Sequence, residues 1–286
     1  MPTQTNLTPT ESPTESQAVV DMIDLDRYPI DDLSTPEGTE FAARCRQTYA
    51  DTGLCMLPDF IRPTALDILA AEANSVSDQA FFCNNTHNAY LTEHDPELAD
   101  DDVARVQEQT YVGSVPYDCI DETTALRRLY QWDPLKDFIG FVLGKQQFHR
   151  FADPLGALSI NVFVDGGEHG WHFDESEFTV TLMLQPPESG GEFEYLPLIR
   201  GLENESELVA GVLGGERNGV VQLPFTPGTL LIFGGRQTIH RVTPVRGAVP
   251  RLVPVLCYSE QPDSVNSPTV RELFWGRAES KSPARV

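Results

Sequence analysis

The stretch GEHGWHFDESEFTVTLMLQ, residues 167–185, decides the reading of this chain. It runs into a buried β-strand, yet it begins with a histidine, a phenylalanine and an aspartate in that order. Successive side chains of a strand point to opposite faces, so His172 and Asp174 are expected on one side and Phe173 on the other. An imidazole and a carboxylate converging on one point suit a hard or borderline divalent metal. A third ligand from elsewhere in the chain would complete the set.

Outward from that stretch, the chain from about residue 146 is a series of short β segments separated by Gly, Pro and Asp. They are ALSINVFVD, FTVTLMLQ, GEFEYLP, GVVQLPF, GTLLIFGG, HRVTPV and RLVPVLCYS, and seven or eight strands of this kind predict an antiparallel sandwich or barrel. PPESGGEFEY reads as a turn in which Gly190 and Gly191 supply positive φ. The polar run IRGLENESELVAGVLGGERN interrupts the β pattern and is expected to be a surface insertion.

Upstream, STPEGTEFAARCRQTYADTG predicts a helix with Ser or Thr at its start, Pro36 in the first turn and Gly53 as its stop. LCMLPDF predicts a short strand, and RPTALDILAAEANSVSDQAF a second helix opened by Pro63. DETTALRRLYQWDPLKDFIGFVLG contains Pro134 and predicts two helices meeting there. The expected organisation is a disordered tail over 1–20 and a single domain over 21–286. That domain comprises helical support over about 21–145, a β core over about 146–261 and a C-terminal segment over 262–286.

The chain has 286 residues, enough for a sizeable core, with a formal charge of −23. So acidic a chain repels phosphate backbones and anionic lipid, which argues against nucleic-acid and membrane roles. The first eighteen residues lack the layout of a signal peptide, and no apolar run is long enough to span a bilayer, so a cytoplasmic location is expected. The five cysteines show no C-x-x-C spacing, which predicts reduced thiols rather than a disulfide frame or a zinc knuckle.

The third ligand is sought among His87, His94, His149 and His240. Of these, only His240 opens a β segment, IHRVTPV, in the β-rich half. Two histidines and a carboxylate leave three adjacent coordination positions open, as non-haem Fe(II) oxygenases require. Arg251 begins the next strand, where its planar fork suits a carboxylate better than a lysine would.

In these elements, the H-x-D run, the distal histidine and the following arginine, the chain resembles the Fe(II)- and 2-oxoglutarate-dependent oxygenases over roughly residues 146–261. The resemblance implies a mainly β fold with flanking α-helices around a double-stranded β-helix, or jelly-roll, core. It also implies Fe(II), 2-oxoglutarate and O2, with His172, Asp174 and His240 on the iron and Arg251 on the co-substrate carboxylate. Asn161, on ALSINVFVD, matches a position that touches the co-substrate in some members.

More narrowly, RFADPLGALSINVFVDGGEHGWHFDESEFTVTLMLQ and RELFWGR resemble the BesD-like group of amino-acid halogenases and their hydroxylase relatives. The halogenases carry a small residue where Asp174 stands, so this departure favours hydroxylation. The implied activity is hydroxylation of an unactivated C–H bond in a small soluble metabolite, a free amino acid or a derivative. The alternatives are a radical halogenase, a protein hydroxylase and a cupin-like non-oxidative metal protein. His169, Trp171, Glu175 and Glu177 flank the ligands, and their acidic members suit a cationic substrate group. Trp275 and Arg277 are expected to form a lid, Trp275 for apolar contact and Arg277 for a substrate carboxylate. Gln109 and Tyr111 are further pocket candidates, and TEHDPELADDD, with His94, is expected to be a solvated loop.

Overall fold

The structure, a computed structural model, describes residues 15–93, 95–100 and 102–281. The expected tail falls largely outside the described residues, as does His94. Where the two overlap, the expectation is corrected: Glu15–Val20 is helical (α1) and Val19 is only 2% exposed, because it packs into the main core.

The other helices are α2 (Pro36–Thr52), α3 (Pro63–Val76), α4 (Ala125–Gln131), α5 (Asp133–Val142), α6 (Glu205–Leu213) and α7 (Pro268–Trp275). Helix α2 begins where the Thr35 hydroxyl accepts from Gly38 N at 3.1 Å and stops at Gly53, which takes the left-handed conformation. Pro134 divides α4 from α5 as the sequence predicts.

The strands are β1 (Leu54–Leu57), β2 (Phe81–His87), β3 (Glu108–Val115), β4 (His149–Arg150), β5 (Leu158–Phe163), β6 (Glu168–His172), β7 (Thr179–Leu182), β8 (Phe193–Leu196), β9 (Val221–Leu223), β10 (Leu230–Phe233), β11 (Ile239–Val242), β12 (Arg251–Leu256) and β13 (Tyr258–Ser259). All seven predicted β segments of the C-terminal half are present. Gly190 and Gly191 both have φ of 69° in the connection between β7 and β8.

Eleven strands form one antiparallel sheet in the order β1-β10-β7-β12-β5-β3-β6-β11-β8-β9, with β2 paired to β3 off this path. The sheet curls until its two ends face each other. Phe233 on β10 meets Phe193 and Tyr195 on β8, with ring centroids 5.1 and 6.2 Å apart, although these strands lie far apart in the order. This is the jelly roll, mainly β with helices outside.

Alternation along β12 sorts the chemistry. Leu252 and Leu256 face outward into the core shared with α1 to α5, while Arg251, Val253 and Val255 face the barrel interior. The region expected to be purely helical is not so, because β2 and β3 come from it and β3 lies between β5 and β6 in the sheet. The polar insertion is also more than surface. Val209 and Val212 of α6 pack against Trp171 and Phe173, on the face of the β6 segment turned away from its histidines.

Candidate metal centre and adjoining cavity

His172 and His240 sit opposite each other on β6 and β11, and their ring centroids are 4.2 Å apart. Asp174 Oδ1 lies 3.4 Å from His172 Nε2 and 3.5 Å from His240 Nε2. The strand argument needs one correction. β6 ends at His172, so Asp174 converges from the loop just beyond it. It is held there by Asp174 N donating to Gly235 O at 3.0 Å and by the Thr179 hydroxyl donating to Oδ2 at 2.8 Å. Gly235 lies so close that any side chain there would collide with the carboxylate.

The protonation states suit a metal. His172 Nδ1 lies 2.7 Å from Gly170 O and His240 Nδ1 lies 3.0 Å from Thr238 O. A carbonyl only accepts, so each Nδ1 carries a proton and each Nε2 is the ring atom turned to Asp174. Burial lowers His172 to about 4, assisted by the neighbouring His240. Burial would raise the Asp174 carboxyl, but His240 and His172 beside it hold it well below the usual carboxylate range. At neutral pH His172 is therefore an unprotonated base beside a carboxylate anion, and protons do not compete for those two ligand atoms.

A second feature was invisible in the sequence. His172 pairs with His240 while His169 pairs with Val242, so three residues of β6 span what two span on β11. This bulge turns His169 and His172 to the same face, where their rings stack at 3.7 Å. The bulge stands on Glu108, whose carboxylate accepts from Trp171 N at 3.0 Å. Position 170 must be glycine, since a Cβ there would lie 2.5 Å from Glu108 Cβ. His87, at the end of β2, adds a third ring to this group, 5.4 Å from His169, with its Nε2 2.7 Å from the Thr110 hydroxyl. Burial pushes His87 and His169 down, His169 far below its ordinary value.

Arg251 is 2% exposed, and its Nε is buried with no hydrogen-bond partner. Its guanidinium lies over Phe163 and Phe225, 5.2 and 5.8 Å from the ring centroids. Burial lowers it to about 10, against the pull of Glu192. A desolvated cation with an orphaned donor calls for an anion, and a carboxylate matches its fork. Phe163 also belongs to the apolar group containing Phe193, which stacks on His240, so Arg251 and the triad share one interior. Together, an orphaned guanidinium and an N,N,O donor set fit a 2-oxoglutarate carboxylate and an iron ion.

The family model for HalD, halogenase D, matches residues 38–273. The chain belongs to the HalD family. Its fold is that of the Fe(II)- and 2-oxoglutarate-dependent oxygenases. Among solved structures it is similar to the non-heme alpha ketoglutarate dependent epimerase SnoN from nogalamycin biosynthesis, at 15% identity over 77% of this chain and 83% of that one, with a TM-score of 0.54. AviO1 from Streptomyces viridochromogenes Tue57 is 15% identical over 79% of this chain and 98% of its own, with a TM-score of 0.52. EctD from S. alaskensis, solved with 2-oxoglutarate and 5-hydroxyectoine, is 18% identical over 81% and 83%, with a TM-score of 0.50. No curated protein matches the sequence.

In this HalD-family chain a cavity of about 290 Å³ adjoins the triad on its Asp174 side, where Thr179 belongs both to the cavity wall and to the carboxylate's support. Asn161 lines it, on the interior face of β5 opposite Val253. Trp275 also lines it, with Nε1 donating to Ser114 Oγ at 3.0 Å, so α7 closes one wall.

Other expectations are corrected. Arg277 is not turned to the cavity but grips Asp118 through two bonds of 2.6 and 3.0 Å. Glu175 is exposed and Glu177 is paired with Lys145 at 2.8 Å, and neither lines the cavity. His169 is spent on the histidine stack rather than on the cavity wall. Gln109 donates to Asn84 and Tyr111 packs on Phe82, both away from the cavity. His149 lies on β4, paired with β13 outside the main sheet. The missed participants, Thr179, Gly235 and Glu108, carry no local signal, since each acts through a contact distant in sequence or across a turn; His87, weighed as a third ligand, stands instead in the histidine stack.

Proposed function

We propose that this chain is an Fe(II)- and 2-oxoglutarate-dependent hydroxylase of an unactivated C–H bond in a small molecule, an amino acid or a derivative of one. The observation that carries this reading is the Asp174 carboxylate, within 3.5 Å of both histidine Nε2 atoms. When bound, iron with 2-oxoglutarate and O2 supplies the oxidising power.

The chain's own residues do the rest. His172, Asp174 and His240 would hold the metal through the two Nε2 atoms and a carboxylate oxygen. Arg251 receives the co-substrate carboxylate in a dry site, where its fork fixes orientation as well as charge. Asn161, on the interior face beside the Arg251–Phe163 pair, would contact the co-substrate. The cavity wall excludes water from the reacting carbon and holds it at a fixed distance from the metal.

Asp174 also bears on the reaction type. A carboxylate at this place fills the coordination position that a chloride would need, which supports hydroxylation although the family model is described as a halogenase. The five cysteines are free, which supports a reducing, cytoplasmic setting.

The test is a screen for substrate-stimulated succinate release with Fe(II), followed by weighing the product formed in high chloride. A gain of one oxygen is expected. A chlorinated main product would overturn hydroxylation in favour of the halogenase reading, and an iron-independent activity would overturn both.

A further inference from the structure

We infer that the cavity beside the triad receives an uncharged part of the substrate, an amide or comparable neutral donor–acceptor group carried on an apolar frame. The inference rests on the oxygenase reading for the purpose of the cavity, and on the cavity wall alone for what it binds.

The chain carries 43 Asp and Glu and 20 Lys and Arg in 286 residues, so charge is plentiful. Yet among the described residues no ionisable acid or base with a charge at neutral pH lines the cavity. Glu175 and Glu272, beside the wall in sequence, are exposed to solvent and do not line it, and three other charged neighbours are committed elsewhere. Arg277 is held by Asp118, Arg271 by Asp153 at 2.9 Å, and Glu177, beside Phe178, by Lys145 at 2.8 Å. Asp174, behind Thr179, is turned to His172 and His240, so an ammonium or carboxylate entering this space would leave water without meeting a counter-charge on the wall, which is costly.

What the wall does offer is neutral. The carboxamides of Asn161 and Asn266 and the hydroxyl of Ser159 border the cavity, and none of these side chains bonds another group among the described residues. The Tyr258 hydroxyl, on the same wall, is buried without a partner. A carboxamide presents both donors and an acceptor, so the natural complement is a group that also does both, such as an amide or lactam. Val255, Phe178 and Trp275 supply the apolar surround.

The experiment compares three ligands of matched shape, valeramide, pentylammonium and valerate, and three free amino acids, glutamine, lysine and glutamate. Binding to the full chain is read by saturation-transfer NMR without turnover. The amide member of each series should bind at least about tenfold more tightly than its charged counterparts. Asn266→Ala should weaken the amides selectively. Val255→Asp, which places a carboxylate in the wall, should reverse the order in favour of pentylammonium. A charged member bound by the wild type as tightly as the amide, or no binding of either amide, would overturn the inference. If Val255→Asp fails to fold, Asn266→Ala and the wild-type order still decide. A chain that binds the amides but never forms succinate would refute the oxygenase reading and leave this inference standing.

Discussion

Placing a methyl group at Gly235 should damage the metal centre without replacing any proposed ligand. A Cβ at this position would lie 1.9 Å from Asp174 Oδ2 and 2.5 Å from its Cγ. Ordinary non-bonded contact needs about 3.5 Å, so the carboxylate must retreat by more than about 1 Å. The backbone is poorly placed to give way, because Asp174 N donates to Gly235 O at 3.0 Å and Gly234 N donates to Gly53 O at 2.7 Å. Retreat breaks the Thr179 hydrogen bond and pulls Oδ1 from its position 3.4 and 3.5 Å from the two histidine nitrogens. Loss of such support around a ligand costs about 10- to 100-fold in metal affinity, or roughly 1.4 to 2.8 kcal/mol. The assay is an anaerobic Fe(II) titration of Gly235→Ala against a chelating dye, with the melting temperature of the metal-free variant as a control on folding. Wild-type affinity in a folded Gly235→Ala protein would refute the reasoning, for it would mean that Asp174 does not hold the metal from this position.

Arg251→Ala removes the orphaned guanidinium and should raise the dissociation constant for 2-oxoglutarate by about 30-fold or more, the loss of about 2 kcal/mol or more at a desolvated charge pair. An unchanged constant by calorimetry would mean that another residue takes the co-substrate. Asp118 holds Arg277 through two bonds and accepts from Lys281 N at 2.7 Å, so Asp118→Asn should release the segment after α7, visible as faster limited proteolysis near residue 277. Unchanged cleavage would show that the segment is held by other contacts.

Acid should destabilise the metal-free chain through His172. The unfolded chain takes up its proton near the ordinary value of 6.5, but the folded one only at about 4. Stability from this residue is therefore whole above that ordinary histidine range and is lost as pH falls from it to about 4, by about 3 kcal/mol. Melting of the metal-free wild type and of His172→Gln across that range checks the sign, and equal pH slopes would refute it.

The clustering of His172, Asp174 and His240 was legible because its signals are local. An H-x-D run entering an apolar strand, a histidine opening another strand and an arginine out of place in LVPVLCY each declare themselves within a few residues. Helix ends marked by Thr35, Pro36, Gly53, Pro63 and Pro134 were legible for the same reason, since caps and proline act on the nearest turn.

Strands β2 and β3 were not. FFCNNTH is largely exposed along its length, so no apolar face announces it, and it is a strand only because β3 pairs with it. The insertion misled in the opposite direction, since two valines in a polar run are enough to dock α6 on Trp171 and Phe173.

The sequence by itself thus pointed to which residue types converge, an imidazole and a carboxylate from one run and an imidazole from another, because that pattern is local. Only the tertiary structure decided their neighbourhood. The bulge that turns His169 beside His172 depends on a carboxylate from Glu108, and the seat of Asp174 depends on the bare backbone of Gly235. The loss of Arg277 to Asp118 sets the charge of the cavity through a pairing between residues 159 positions apart. Such contacts exist only once the sheet has curled and brought distant segments within a few ångströms, and no window of sequence contains both partners.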